Sequence, residues 1–357
     1  MFGIALLIAA IGLPSEKIAG IEKLVAAFIS KNDVPGLSIA VVVDGQLAWS
    51  KGYGFADIEN RVPATATTAY RSASIGKTMT ATAAMLLVEE GKLDLEADIR
   101  QYCPAFPPKQ WPITSRNLLS HTSGIRHYGG PRAQEEQFST VHYNTVPAAL
   151  APFKDDPLLF EPGTKYQYST YGYDVLGCVI EGASQNSFLT FMRAHVWEPA
   201  GMVATRDDDP AAIVPNRAAK YTRVEGQLRN APMIDVSNRL PAGGYLTTAD
   251  DLARFAEALL AGRLVKSATL QRMMTPAKLS NGAAVAYGLG WGVETEEWHG
   301  DRWVFHGGSS PGASGIITVM PGHRFAVAVL TNLDQLPDRG DLAEDIARLV
   351  LDFGPRK

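Results

Sequence analysis

A chain of 357 residues with 46% hydrophobic content can fill a substantial core, as one large domain or two intimate ones. Its 33 Lys and Arg nearly balance its 37 Asp and Glu, with no long run of one sign. That excludes the basic footprint of a nucleic-acid protein and predicts a small molecule or peptide as partner. The two cysteines, Cys103 and Cys178, lie far apart among apolar or small residues. The expectation is two buried free thiols, with neither a disulfide framework nor a thiolate metal site.

Met1 to Leu13 is almost wholly apolar, but too short to span a bilayer and without Lys or Arg before it, so no stable membrane anchor is expected. Small residues at Ala10 and Gly12 fit a cleavage site; residues 1–14 are then a leader, which implies export, or else an apolar first turn. From Ser15, a reasonable N-cap, to about Lys31 the residues Ile18, Ile21, Leu24, Val25 and Phe28 recur at helical spacing. Leu37 to Val43 and Leu47 to Gly54 then read as strands of a hairpin around Asp44-Gly45.

Between about Glu59 and Ala284 the pattern is mostly helical, broken by loops rich in Pro and Gly. Gly315 to Met320 and Phe325 to Thr331 form a second hairpin around Pro321-Gly322, and Asp341 to Phe353 reads as a closing amphipathic helix. The expected architecture is α/β of the α+β kind. Residues 15–58 and 285–357 make an antiparallel sheet flanked by the terminal helices, and 59–284 form an inserted helical domain, with the active site at the interface.

Ser74 and Lys77 are three apart at the start of the apolar run Ala81 to Val88. Positions three apart on a helix share a face, so the Lys77 amine can reach the Ser74 hydroxyl. A serine needs such a base to become nucleophilic, and a lysine serves only if desolvation and the positive end of the helix dipole lower its pKa. The plain alternative is an N-cap serine followed by a solvated lysine. The uniformly apolar stretch behind it argues against that, because such a helix is buried on most sides.

Other segments carry a family resemblance. Tyr168-Ser169-Thr170 follows Glu161-Pro162-Gly163 and precedes Gly172-Tyr173; His306-Gly307-Gly308 precedes a β-rich run; Leu118 to Ile125 and Pro241 to Tyr245 flank them. With Ser74 and Lys77, these resemble in type and order the signatures of the penicillin-recognising serine hydrolases. The match is best in the class C β-lactamase, D-aminopeptidase and family VIII esterase branch, especially its mitochondrial serine β-lactamase-like members. The resemblance implies Ser74 as acylated nucleophile, Lys77 and Tyr168 as proton carriers, and the backbone N–H groups of Ser74 and Ser309 as oxyanion hole. It places Thr170, His306, Gly307 and Gly308 against the substrate, with no cofactor.

Two departures bear on the substrate. Thr170 stands where the family has Asn, which weakens the grip on a substrate amide. His306 replaces a lysine, removing a fixed charge for a substrate carboxylate near neutral pH. Esters or peptide-like amides without a demanding carboxylate contact therefore fit better than β-lactams. The second reading is a weakly catalytic or non-catalytic scaffold on the same fold, assembling as a homo-oligomer.

Gly308-Ser309-Ser310-Pro311-Gly312 also fits a nucleophile elbow with Ser310. Such an elbow runs from strand into helix, whereas Ala313 to Met320 is β-rich, and only His323 follows. His121, His127 and His142 lack metal-site spacing and read as surface or turn residues, His121 as part of a turn under the active site.

Overall fold

The computed structural model describes residues 12–294 and 296–354, so nearly all of the apolar first segment expected as a leader lies outside the described residues. Chain order opens with helix α1 (Ser15–Asn32), then strands β1 (Gly36–Val43), β2 (Gln46–Asp57) and the short β3 (Val62–Pro63). Pro14, not Ser15, occupies the cap position of α1, and no side chain caps it. Far along the chain come β4 (Gly292–Val293), β5 (Val304–Ser310), β6 (Ala313–Met320), β7 (Phe325–Thr331) and the closing helix, Arg339–Val350.

These strands form one seven-stranded antiparallel sheet in the order β3-β2-β1-β7-β6-β5-β4. The two ends of the chain meet at its centre, where Leu37 pairs with Thr331 and Val41 with Val327. Successive side chains of a strand point to opposite faces. Leu37, Ile39, Val41, Val327 and Val329 accordingly pack with Ile21, Val25, Leu342 and Ile346 of the two terminal helices. Ala40, Val42, Ala328 and Leu330 pack instead with the helices of the middle region. Both faces are covered, so β1 and β7 read as nearly continuous apolar runs although the sheet is antiparallel.

The middle region contributes helix α2 (Gly76–Glu89) and helix α3 (Thr170–Ser184), which pack against each other. Nearly every side chain of α2 is buried, as its lack of a polar face requires. A small sheet of Tyr70–Arg71, Tyr245–Thr247 and Arg206–Asp207 ties the chain just before Ser74 to the chain just after Gly243-Gly244. Beside it, buried Arg71 donates to Asp208 (2.5 Å) and to the Pro311 carbonyl (3.0 Å), joining this sheet to the β5–β6 hairpin.

The cysteines depart from expectation: Cys103 and Cys178 form a disulfide across 75 residues. Their apolar neighbours suggested separate thiols, but the loop carrying Cys103 lies against α3, which carries Cys178. The approach is close enough that a Cβ on Gly182 would stand 1.7 Å from the Tyr102 carbonyl oxygen. Packing at Gly182, rather than local sequence, brings the sulfurs together.

Candidate active site

Ser74 sits in a single 3-10 turn, Ala73–Ile75, that runs directly into α2. Lys77 is in the first turn of α2, fully buried, with Nζ 3.0 Å from Ser74 Oγ, 3.0 Å from the Ala242 carbonyl and 3.4 Å from Thr170 Oγ1. The rings of Tyr168 and Tyr173 lie 5.1 and 5.6 Å from the same nitrogen. Burial pushes the Lys77 amine down to about 7, helped by nearby Arg239 and opposed by Asp174. The neutral amine is a base, and it spares the fold a buried charge.

Tyr168 and Thr170 come from the start of α3, and the first N–H groups of a helix have no intrahelical acceptor. Three side chains satisfy them. Ser169 is the N-cap, accepting from the Gly172 N–H (3.0 Å) while its hydroxyl donates to the Arg126 carbonyl (2.8 Å). His121 Nδ1 accepts from the Ser169 N–H (3.1 Å) and His127 Nδ1 from the Thr170 N–H (3.2 Å). A ring nitrogen that accepts carries no proton, so these histidines are neutral here. Burial pushes His121 well below the usual histidine range and His127 down to about 4, the Lys77 charge adding to both.

His121 is packed against the rings of Tyr166, Tyr168, Tyr173 and Tyr287, with the Tyr168 centroid at 4.2 Å. It lies under the site, as its sequence setting suggests. Burial raises the Tyr168 phenol above its ordinary value, the Ser74 hydroxyl opposing that shift. Desolvation prevails, so Tyr168 stays protonated at rest.

His306, Gly307 and Gly308 lie within strand β5 rather than ahead of it. His306 Nδ1 faces the Gly307 carbonyl (2.7 Å), which can only accept, so Nδ1 carries the proton and Nε2 accepts from the Tyr287 hydroxyl (2.9 Å). Burial pushes this ring down to about 3, and it carries no charge near neutral pH. Gly308 is where the strand passes Ser74: a Cβ there would stand 2.6 Å from the Ser72 carbonyl oxygen and 3.1 Å from Ser74 N.

Two cavities meet at Ser74, Tyr168 and Ser309. One, of about 250 Å³, adds Lys77, Thr170, Ser310, His127 and Arg239. The other, of about 290 Å³, adds Tyr287, His306, Gly307, Gly308 and Arg339. Every residue singled out from sequence for the site therefore lines this double cavity. Ser310 shares it too, but at the end of β5, where a hairpin leads into β6 rather than into a helix.

Arg239, His127, Tyr128 and Gln137 also line the first cavity, and sequence reading passed them over. For Arg239 the available signal was position, two residues before the Pro241 to Tyr245 segment; His127 read as a turn residue. Asp174, one helical turn after Thr170, is buried near Lys77 and Arg239, and burial raises its carboxyl well above the usual range against the pull of both cations. Among the described residues no group of His, Cys, Asp or Glu is placed to hold a metal ion, and no helix is long and apolar enough to cross a membrane.

Comparison with known proteins agrees with this geometry. The mitochondrial serine β-lactamase-like protein of Mus musculus is 30% identical over 88% of this chain and 74% of its own length. Penicillin-binding protein 4* of Bacillus subtilis is 27% identical over 82% of this chain and 66% of its own. Among solved structures, an octameric penicillin-binding protein homologue from Pyrococcus abyssi superposes with a TM-score of 0.83 at 28% identity, over 95% of this chain and 78% of its own. The β-lactamase family pattern matches residues 21–351, and the chain belongs to the β-lactamase family of serine hydrolases.

Proposed function

We propose that the protein hydrolyses an ester or a peptide-like amide through an acyl-enzyme on Ser74, with weak or no turnover of β-lactams. The observation that carries this is the 3.0 Å contact between Ser74 Oγ and a fully buried Lys77 whose pKa is pushed to about 7. Oγ attacks the substrate carbonyl as neutral Lys77 takes its proton, and the oxyanion forms between the backbone N–H groups of Ser74 and Ser309. The tetrahedral species collapses, the bond to the leaving group breaks, and the proton on Lys77 passes to that group through Tyr168. Water then attacks the acyl carbon while its proton returns by the same relay, which frees the acid and restores Ser74.

Tyr168 suits a relay rather than a resting base, because its buried phenol keeps its proton until it hands it to the leaving group and is resupplied from Lys77. His306 supports the choice of substrate: it is neutral and engaged by Tyr287, so it offers no charge to the carboxylate of a β-lactam. Incubation with a fluorophosphonate or with penicillin, followed by peptide mass spectrometry, should place the adduct on Ser74. Absence of an adduct from every acylating probe would overturn the proposal. A parallel assay with a p-nitrophenyl ester, a D-aminoacyl amide and nitrocefin then ranks the substrate classes.

A second reading, a homo-oligomer with little turnover, draws on the octameric state of the Pyrococcus abyssi homologue. Light scattering gives the assembly state directly. A Ser74→Ala variant that assembles but loses its biological effect favours catalysis; one that keeps the effect favours the scaffold.

A further inference from the structure

The cavity beside Ser74 is lined by a cation that forms no ion pair with a carboxylate among the described residues. Arg239 is only 8% exposed, yet among the described residues it forms no ion pair. Its guanidinium stacks on Tyr128 at 4.8 Å, Nε donates to Asn238 Oδ1 (2.9 Å), and Nη2 donates to the backbone carbonyls of Glu136 and Gln137 (2.8 and 2.9 Å). The Glu136 carboxylate is itself taken by Arg126, through two hydrogen bonds of 2.7 and 2.8 Å. Nη1 is left without a protein partner, on a side chain that lines the cavity.

Burying a guanidinium without an anion is costly, and a side chain held by three hydrogen bonds and a ring is fixed where it stands. Its neighbours do not pair with it: Asp174, the nearby buried carboxyl, forms no ion pair or hydrogen bond with it, and burial favours that carboxyl's neutral form. His127 accepts at Nδ1 and has only an N–H to offer at its other nitrogen, and Gln137 adds a carboxamide. This half of the site is therefore a preformed set of donors around one positive charge.

Ser74, Tyr168 and Ser309 border both cavities, so a substrate whose scissile carbonyl reaches Ser74 has space on either side of it. Of the two, only the Arg239 cavity is also lined by Lys77 and Thr170. We propose that Arg239 forms an anion subsite for the acyl half of the substrate, so that the enzyme selects acyl donors bearing a carboxylate beyond the scissile carbonyl. This rests on the acyl-enzyme reading above and specifies its substrate class. Arg239 offers its charge on the acyl side, while His306, engaged by Tyr287, still offers none to the carboxylate of a β-lactam.

The test compares the mono-p-nitrophenyl esters of glutaric, adipic and pimelic acid, each with its uncharged methyl ester, on the full chain. Wild type should favour at least one acid over its methyl ester about tenfold or more in kcat/KM, and Arg239→Gln should abolish that ratio, mainly through KM. A misfolded variant lowers both members of a pair, so the ratio reads the charge contact alone. Equal rates for acid and methyl ester in the wild type, or a ratio unchanged in Arg239→Gln, overturn the subsite while leaving Ser74 acylation intact.

Calorimetry of monomethyl adipate on Ser74→Ala protein reads the subsite without turnover. Adding Arg239→Gln should weaken that binding at least tenfold, and unchanged binding rejects the proposal. Failure of every ester to acylate Ser74, with binding still dependent on Arg239, would reject the hydrolase reading and keep the subsite.

Discussion

A Cβ placed on Gly243 would stand 1.7 Å from the carbonyl oxygen of Ala73, the residue before Ser74, and both residues hold positive φ, +128° at Gly243 and +46° at Ala73. The turn that presents Ser74 is thus pressed against a backbone that only glycine can supply. For Ala73 the left-handed conformation costs about 1–3 kcal/mol, held in place by the surrounding packing. Gly243→Ala should displace Ser74 and lower the rate of acylation by about 100-fold or more. Ala73→Gly relieves the strain and should raise stability by a few tenths to about 1 kcal/mol, read from urea unfolding. An unimpaired Gly243→Ala enzyme would show that this contact does not fix the nucleophile.

Acylation should depend on a single ionisation near pH 7. In the proposed mechanism Lys77 is the base in its neutral form, and burial pushes its pKa to about 7. The rate therefore climbs as pH rises through that value and levels off above it. Stopped-flow acylation with a p-nitrophenyl ester reads the profile. Lys77→Arg has no neutral form in this range and should lose about 10²–10⁴-fold. A flat profile from pH 6 to 9 would remove Lys77 from the role.

Much of the fold is legible in the sequence because short β-rich apolar runs and the helical 3.6-residue period are local signals. Leu37 to Val43 and Phe325 to Thr331 announce β1 and β7, and Ile18 to Phe28 announces α1. Strand β5 is harder to read, since His306, Gly307 and Gly308 interrupt its apolar alternation, and Gly308 is small because the strand runs past Ser74 there. Ser74 and Lys77 were readable from their spacing in the chain. His127 and Arg239 were not, because one is placed by a helix N-terminus needing an acceptor and the other by carbonyls about a hundred residues earlier. The Cys103–Cys178 pair is hidden for the same reason.

Lys77 should also leave a signature in stability. Between about pH 7 and 10.5 the unfolded chain holds a proton on this amine that the folded chain does not, so this group makes the fold more stable as pH rises through that window. Lys77→Met abolishes this contribution. The stability of the variant relative to wild type should therefore be most favourable near pH 7 and decline toward pH 10, by at most about 1.4 kcal/mol per pH unit. Loss of the hydrogen bonds to Ser74 and Ala242 shifts the whole difference by a constant and leaves its slope. Urea unfolding of both proteins at several pH values provides the comparison; a pH-independent difference would contradict a depressed Lys77.

The disulfide should stabilise the middle region without taking part in the chemistry. Closing 75 residues of chain restricts the unfolded state by an amount corresponding to about 2–4 kcal/mol. Denatured protein should show no free thiol before reduction and two afterwards. Reductant should lower the Tm of the wild type by several degrees, whereas a Cys103→Ala, Cys178→Ala double variant should already melt at the lower temperature and ignore reductant. Cys178 lies more than two helical turns beyond Tyr168, within a helix whose first turn is fixed independently by Ser169, His121 and His127. The double variant should therefore acylate at the wild-type rate at 25 °C. A slower rate with intact secondary structure would mean that the bridge, as well as the three caps, positions Tyr168.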